Sequence, residues 1–190
     1  MTHAHRQQQG FSLVELLVAV MVVVLLTSVV SLNVGSGGAD LEREQEVRQL
    51  AATLGYAQSE AEFSGADHGL FLERRIEDGE TRYVGHWLRR YDQGWSEPRG
   101  SADVLEPFRF QRDVDLVLSL VGLPDRAIAP RDPELNPPPQ IQLFAGGEIT
   151  EGELDWVDRR TGDLLYRLRW DLFGRMTIMP KGEEPTDDAF

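Results

Sequence analysis

Residues 11–32 read FSLVELLVAVMVVVLLTSVVSL, a run of 22 residues that carries one charge, at Glu15. At about 1.5 Å of rise per helical residue the run spans roughly 33 Å, the thickness of a bilayer's hydrocarbon core. A soluble helix is rarely apolar all round for that length. A transmembrane helix is therefore predicted over 11–32, and everything else in the chain has to be arranged around it.

The lead-in, MTHAHRQQQG, is polar, with Arg6 and the α-amine as its firm positive charges. The positive-inside rule keeps residues 1–10 in the cytoplasm and sends the rest across as a single-pass protein. Glu15 costs about 2–3 kcal/mol or more in the span unless it is protonated or paired. Snorkelling suits Lys or Arg better than the shorter Glu. If the bond after Gly10 is cut, Phe11 gains a free ammonium about one helical turn from Glu15, roughly 6 Å along the axis. The amine of one subunit can equally meet Glu15 of a neighbour, and the two charges then neutralise one another and fix an axial register.

Gln9-Gly10-Phe11-Ser12-Leu13-Val14-Glu15-Leu16 resembles the leader and cleavage site of type IV prepilin-like proteins. The resemblance implies a prepilin peptidase that cuts after Gly10 and N-methylates Phe11. It also implies an assembly role for Glu15 and an inner-membrane anchor that later enters a filament. A secretory signal peptide fits less well, since its apolar region is normally 7–15 residues and ends at small residues. A plain single-pass anchor explains the span but not the Gly-Phe-x-x-x-Glu arrangement.

After the span, Gly35-Ser36-Gly37-Gly38 costs about 3 kcal/mol in helix propensity, and a Gly-rich hinge is expected over 33–39. Asp40 is a plausible N-cap. Residues 40–64 are predicted as an amphipathic helix, with Val47, Leu50, Ala51, Leu54, Ala57 and Ala61 at spacings of three and four. From 65 to 180 the texture is that of strands: Leu70–Leu72, Thr81–Tyr91 across an Asp78-Gly79 turn, runs within 103–120, Gln140–Ala145, a hairpin of Leu154–Val157 with Leu164–Trp170, and Arg175–Met179. Trp95 is assigned to a turn and Trp156 and Trp170 to the sheet core. Residues 124–139 hold six of the ten prolines and read as a loop. The tail, 181–190, is acidic and expected to be disordered. The fold class is α+β: a long N-terminal transmembrane and amphipathic helix, then an antiparallel β domain.

That layout is similar to the pilins. More narrowly, Pro139–Gly147, Leu164-Tyr166-Leu168 and Gly174-Arg175-Met176 resemble the C-terminal part of the H-type minor pseudopilins of type II secretion systems. The resemblance implies two packed antiparallel sheets in the periplasm. It also implies a place near the tip of a pseudopilus that helps export folded proteins across the outer membrane. The implied partners are the major pseudopilin, other minor pseudopilins, the prepilin peptidase and inner-membrane lipid.

Chemistry is sparse. With 19 Lys and Arg against 32 Asp and Glu, net −13, the surface disfavours nucleic acid. There is no Cys, which excludes disulfides and thiolate catalysis. His68 and His86 lack metal-ligand spacing, and no hydrolase, P-loop or dinucleotide motif is present. Asp113 with Asp115, and Asp158 with Asp163, come nearest a calcium pattern without matching one. No catalytic residue, metal or cofactor is expected. The alternatives are a minor pilin of a type IV pilus, whose DNA-uptake versions need a basic face that this acidity opposes, and a membrane-anchored periplasmic enzyme or binding module.

Overall fold

The computed structural model describes residues 13–99, 104–123, 128–131 and 137–184; within α1 the side chains of residue 15, residues 25–37 and residue 39 are not described. The chain divides into two compact units, Met1–Glu42 and Arg43–Phe190.

One helix, α1 (Leu13–Ser64), runs for 52 residues. It passes through 33–39 without a break, where the glycines predict a hinge, and Asp40 lies inside it rather than at an N-cap. Each helical glycine costs only about 1 kcal/mol against Ala. Regular backbone on both sides supplies the neighbouring turns, so no new nucleus is required.

In the first unit the described large apolar side chains from Leu13 to Val24 are 48–76% exposed. In the second unit, the stripe predicted from spacing is the packed face. Val47, Leu50, Leu54, Ala57 and Ala61 are fully buried, and Ala51 is packed against the core.

Among the described residues nine strands follow: β1 (His68–Glu77), β2 (Glu80–Tyr91), β3 (Gly94–Ser96), β4 (Phe108–Arg109), β5 (Val114–Leu120), β6 (Ile141–Leu143), β7 (Gly152–Asp158), β8 (Leu164–Trp170) and β9 (Met176–Pro180). They form two antiparallel sheets, one ordered β3-β2-β1-β6 with β4 also on β2, the other ordered β5-β7-β8-β9. The β1–β2 turn has Asp78 at φ 55° and Gly79 at φ 80°, the positive pair that a two-residue hairpin turn demands. Trp95 falls in β3 opposite Arg90 rather than in a turn, because the reversal is completed one residue earlier, at Gly94 with φ 109°.

Both sheets and the α1 stripe share one core. The first sheet contributes Leu70, Leu72, Tyr83 and Trp87, and the second Leu116, Leu118, Leu154, Trp156, Leu168 and Trp170. Trp156 and Trp170 are fully buried, as their alternation predicts. The Trp170 indole donates to the Thr150 carbonyl at 2.6 Å, so its one polar atom is satisfied.

Candidate functional site

Gly10 and Phe11 lie outside the described residues, and of Glu15 only the helical backbone is described. Among the described residues no helix is long and apolar enough to cross a membrane. The segment predicted to do so, 11–32, starts at Phe11 and Ser12, which are not among them. What the structure does give of this region is a helix whose described apolar residues point in every direction, Leu13 and Leu17 as much as Val14 and Val18.

The second unit grips its own part of α1 through polar locks at both ends. Near the start, Glu46 is 8% exposed. One of its oxygens accepts from the Trp156 indole at 2.7 Å and the other from the Gln111 backbone N–H at 2.8 Å. Burial pushes the Glu46 carboxyl above its ordinary value, against the lowering effect of the Trp156 and Gln111 hydrogen bonds. One turn earlier, Arg43 pairs with Asp113.

Near the end, the Gln58 amide donates to the Gly147 carbonyl at 2.7 Å and to the Phe173 carbonyl at 3.3 Å. Gly174 has φ +74°, and a Cβ there would sit 1.9 Å from Gln58 Oε1. Glycine alone fits both the left-handed backbone and the close approach of the helix. Asp171 organises the same turn. It accepts from the backbone N–H groups of Phe173 and Arg175, both at 3.0 Å, and pairs with the Arg175 guanidinium at 2.6 Å. Gly174, singled out in the sequence with Arg175, is thus the point at which the turn after β8 meets α1.

Comparison with known proteins separates the two ends of the chain. Residues 5–31 match the model of the prokaryotic N-terminal methylation motif. Along nearly its whole length the chain is similar to type II secretion system protein H of Aeromonas hydrophila, 29% identical over 188 residues, covering 95% of this chain and 97% of the relative. The protein of the same name from Pseudomonas aeruginosa is 23% identical over 158 residues, covering 81% of this chain and 86% of its own. Two solved structures of the minor pseudopilin EpsH from the type II secretion system of Vibrio cholerae superpose. One has a TM-score of 0.54 and 16% identity, covering 74% of this chain and 98% of that one. The other has a TM-score of 0.55 and 17% identity, covering 75% and 94%. The fold is that of a minor pseudopilin.

Within this pseudopilin fold the ionisable groups are spent on structure. Asp113 meets Arg43, and Asp115 meets Arg159 at 3.0 Å. Asp158 caps its turn by accepting from the backbone of Arg160 and Thr161, which holds its carboxyl below the ordinary value. Among the described residues no group of three or more His, Cys, Asp or Glu is placed to hold a metal. His68 is buried, and its Nδ1 lies 2.8 Å from the Ala66 carbonyl, so that nitrogen carries the proton. Burial lowers its pKa.

One buried charge cluster escaped the sequence reading. Glu73, 6% exposed, lies 2.9 Å from both His86 Nε2 and the Arg75 guanidinium. Burial raises the Glu73 pKa, but the Arg75 and His86 interactions outweigh it and leave the carboxyl ionised below its ordinary value. Burial also lowers His86, against the pull of Glu73. The evident work of the cluster is to neutralise a carboxylate on the sheet. The signal for it was available: the Asp78-Gly79 turn fixes the β1–β2 register, in which His86 faces Phe71 and Glu73 faces Val84. That register sets Glu73 and His86 diagonally on one face.

Proposed function

We propose that this chain is an H-type minor pseudopilin, a structural subunit of the type II secretion pseudopilus and not an enzyme. The observation that carries the reading is the full-length similarity to type II secretion system protein H, 95% of this chain against 97% of the relative. The methylation motif at 5–31 lies at the end where processing requires it. In this reading a prepilin peptidase cuts after Gly10 and methylates Phe11. The 11–32 helix holds the subunit in the inner membrane as a single pass, with the β domain in the periplasm.

Glu15 then meets the Phe11 ammonium of its own chain or of a neighbour, which sets the axial register of the filament. The glycines at 35–38 leave α1 soft between its two environments, where bending costs little helix propensity. The major pseudopilin and other minor pseudopilins are the neighbours, and a position near the tip suits a subunit added to a filament that moves folded proteins outward.

Intact mass of the protein from cells tests the processing: the expected species begins at N-methylated Phe11. Glu15→Ala is expected to leave membrane insertion and cleavage intact while incorporation into the pseudopilus and secretion of the exported protein are lost. A mature chain that keeps residues 1–10, or full incorporation of the Glu15→Ala protein, overturns the assignment.

A further inference from the structure

Where α1 enters the β domain, the second unit holds an open cavity of about 910 Å³. It is lined by Arg43, by the β1–β2 turn at 79–81, by Arg112 and Asp113 before β5, and by 158–160 at the end of β7. Four of the chain's 19 basic residues stand here against three of its 32 acidic ones. In a protein of net charge −13, this is a place where the general acidity is lifted.

Most of these charges are already committed. Arg43 pairs with Asp113. Arg159 pairs with Asp115 and donates to the carbonyls of Thr81, Arg112 and Val114. Asp158 accepts from the backbone N–H groups of Arg160 and Thr161. Three groups are left over. The guanidiniums of Arg112 and Arg160 and the carboxylate of Glu80 are exposed, and among the described residues they make no ion pair or hydrogen bond.

Backbone pairing brings the two free guanidiniums to the same rim. The Arg159 N–H donates to the Asp113 carbonyl at 2.9 Å, one step beyond the pair formed by Val114 and Asp158. Arg112 precedes that bond on one chain segment and Arg160 follows it on the other. Like charges gathered on neighbouring strands are unfavourable unless an anion lies between them. A guanidinium offers a planar fork of donors that matches phosphate oxygens. Glu80 adds a carboxylate to the same lining, so the free groups suit a ligand that carries both signs.

We infer that the cavity binds a phosphate group with an ammonium close beside it, as in phosphoethanolamine. Arg112 and Arg160 take the phosphate, and Glu80 takes the ammonium.

Such a group occurs free or as a lipid head group, and choosing the lipid rests on the pseudopilin reading. Arg43 is the first residue of the second unit. The tether from residue 32 to Arg43 is roughly 16 Å long as helix. The head-group layer occupies about 5–7 Å of that length, and a tilted helix shortens the remainder.

The test follows amide NMR signals of the isotope-labelled full-length chain in neutral maltoside micelles. Dihexanoyl phosphatidylethanolamine, free phosphoethanolamine or inorganic phosphate is added in turn. The signals of Gly79, Thr81, Arg112 and Arg160 are expected to shift and saturate with the first two. Arg112→Gln and Arg160→Gln should each weaken that binding about tenfold, with circular dichroism unchanged. Glu80→Gln should weaken it about threefold. Tighter binding of the lipid places the source in the membrane, and tighter binding of free phosphoethanolamine keeps the site with a soluble ligand. No saturable shift, shifts that survive both arginine substitutions, or inorganic phosphate bound as tightly as phosphoethanolamine each overturns the assignment. Binding is read on purified protein, so its failure leaves the pseudopilin reading standing. A mature chain that keeps residues 1–10 removes only the lipid source.

Discussion

The two parts of α1 differ both in how much apolar residue they carry and in how it is distributed. From Leu13 to Val24 the apolar side chains circle the helix, and those described stand open. From Arg43 to Ser64 most fall on one stripe, and Val47, Leu50, Leu54, Ala57 and Ala61 disappear into the core while Phe63 stays exposed. A single stripe suits a helix with water on one side and protein on the other. Apolar residues all round suit a helix that meets no water, whether its surroundings are lipid tails or other helices. One regular element thus carries two solvents in its sequence.

The comparison breaks first where the core is deepest. Trp156→Ala leaves a large hole and deprives Glu46 of its indole donor, so a loss of about 3–5 kcal/mol is expected in urea unfolding of the β domain. A loss under about 1 kcal/mol would mean that the striped part of α1 is not held as described. Gly174→Ala comes next. The strained φ and the displaced Gln58 together should cost about 1–3 kcal/mol. Combined with Gln58→Ala, the cost should be clearly less than additive, because both changes open the same latch.

Glu46→Gln is a smaller test and has a pH signature. The native protein holds the Glu46 proton more tightly than the unfolded chain does, since burial raises its pKa. The contribution of Glu46 is therefore fully present below its ordinary value and declines as pH rises through the raised native one. Glu73, held below its ordinary value, acts in the opposite sense: its contribution is present above that ordinary value and lost as pH falls through the lowered native one. Melting temperatures of parent and Glu46→Gln should differ most near pH 4, by the equivalent of about 1 kcal/mol, and converge toward neutrality. A gap that widens with pH would contradict the sign. The smallest effect belongs to the other part of the helix: Leu17→Ala should change unfolding of the β domain by less than about 0.5 kcal/mol. In the proposed membrane-anchored subunit it should alter association instead.

Much of this architecture could be read from residue order. The 43–64 stripe, the Asp78-Gly79 hairpin and the β7–β8 hairpin each depend on local periodicity and turn chemistry, and each forms where expected. The unbroken helix through Gly35–Gly38 and the strand placement of Trp95 went otherwise, since a propensity of about 1 kcal/mol per residue is a weak bias against the neighbouring structure. Contacts over long sequence distances were out of reach. Nothing local tells that Glu46 meets Trp156, or that β6 returns to pair with His68–Leu70. The residues proposed for cleavage, Gly10 and Phe11, and for assembly, Glu15, stood out for the opposite reason, because their pattern is contiguous.

Arg159 has a mechanical consequence. Its guanidinium donates to Asp115 and to the carbonyls of Thr81, Arg112 and Val114. These lie on the hairpin of one sheet, the crossing segment and the first strand of the other. A force that drags one sheet past the other must rupture these bonds together instead of unzipping them one at a time. In a chain without covalent cross-links, that simultaneous loading gives the domain a rivet against shear.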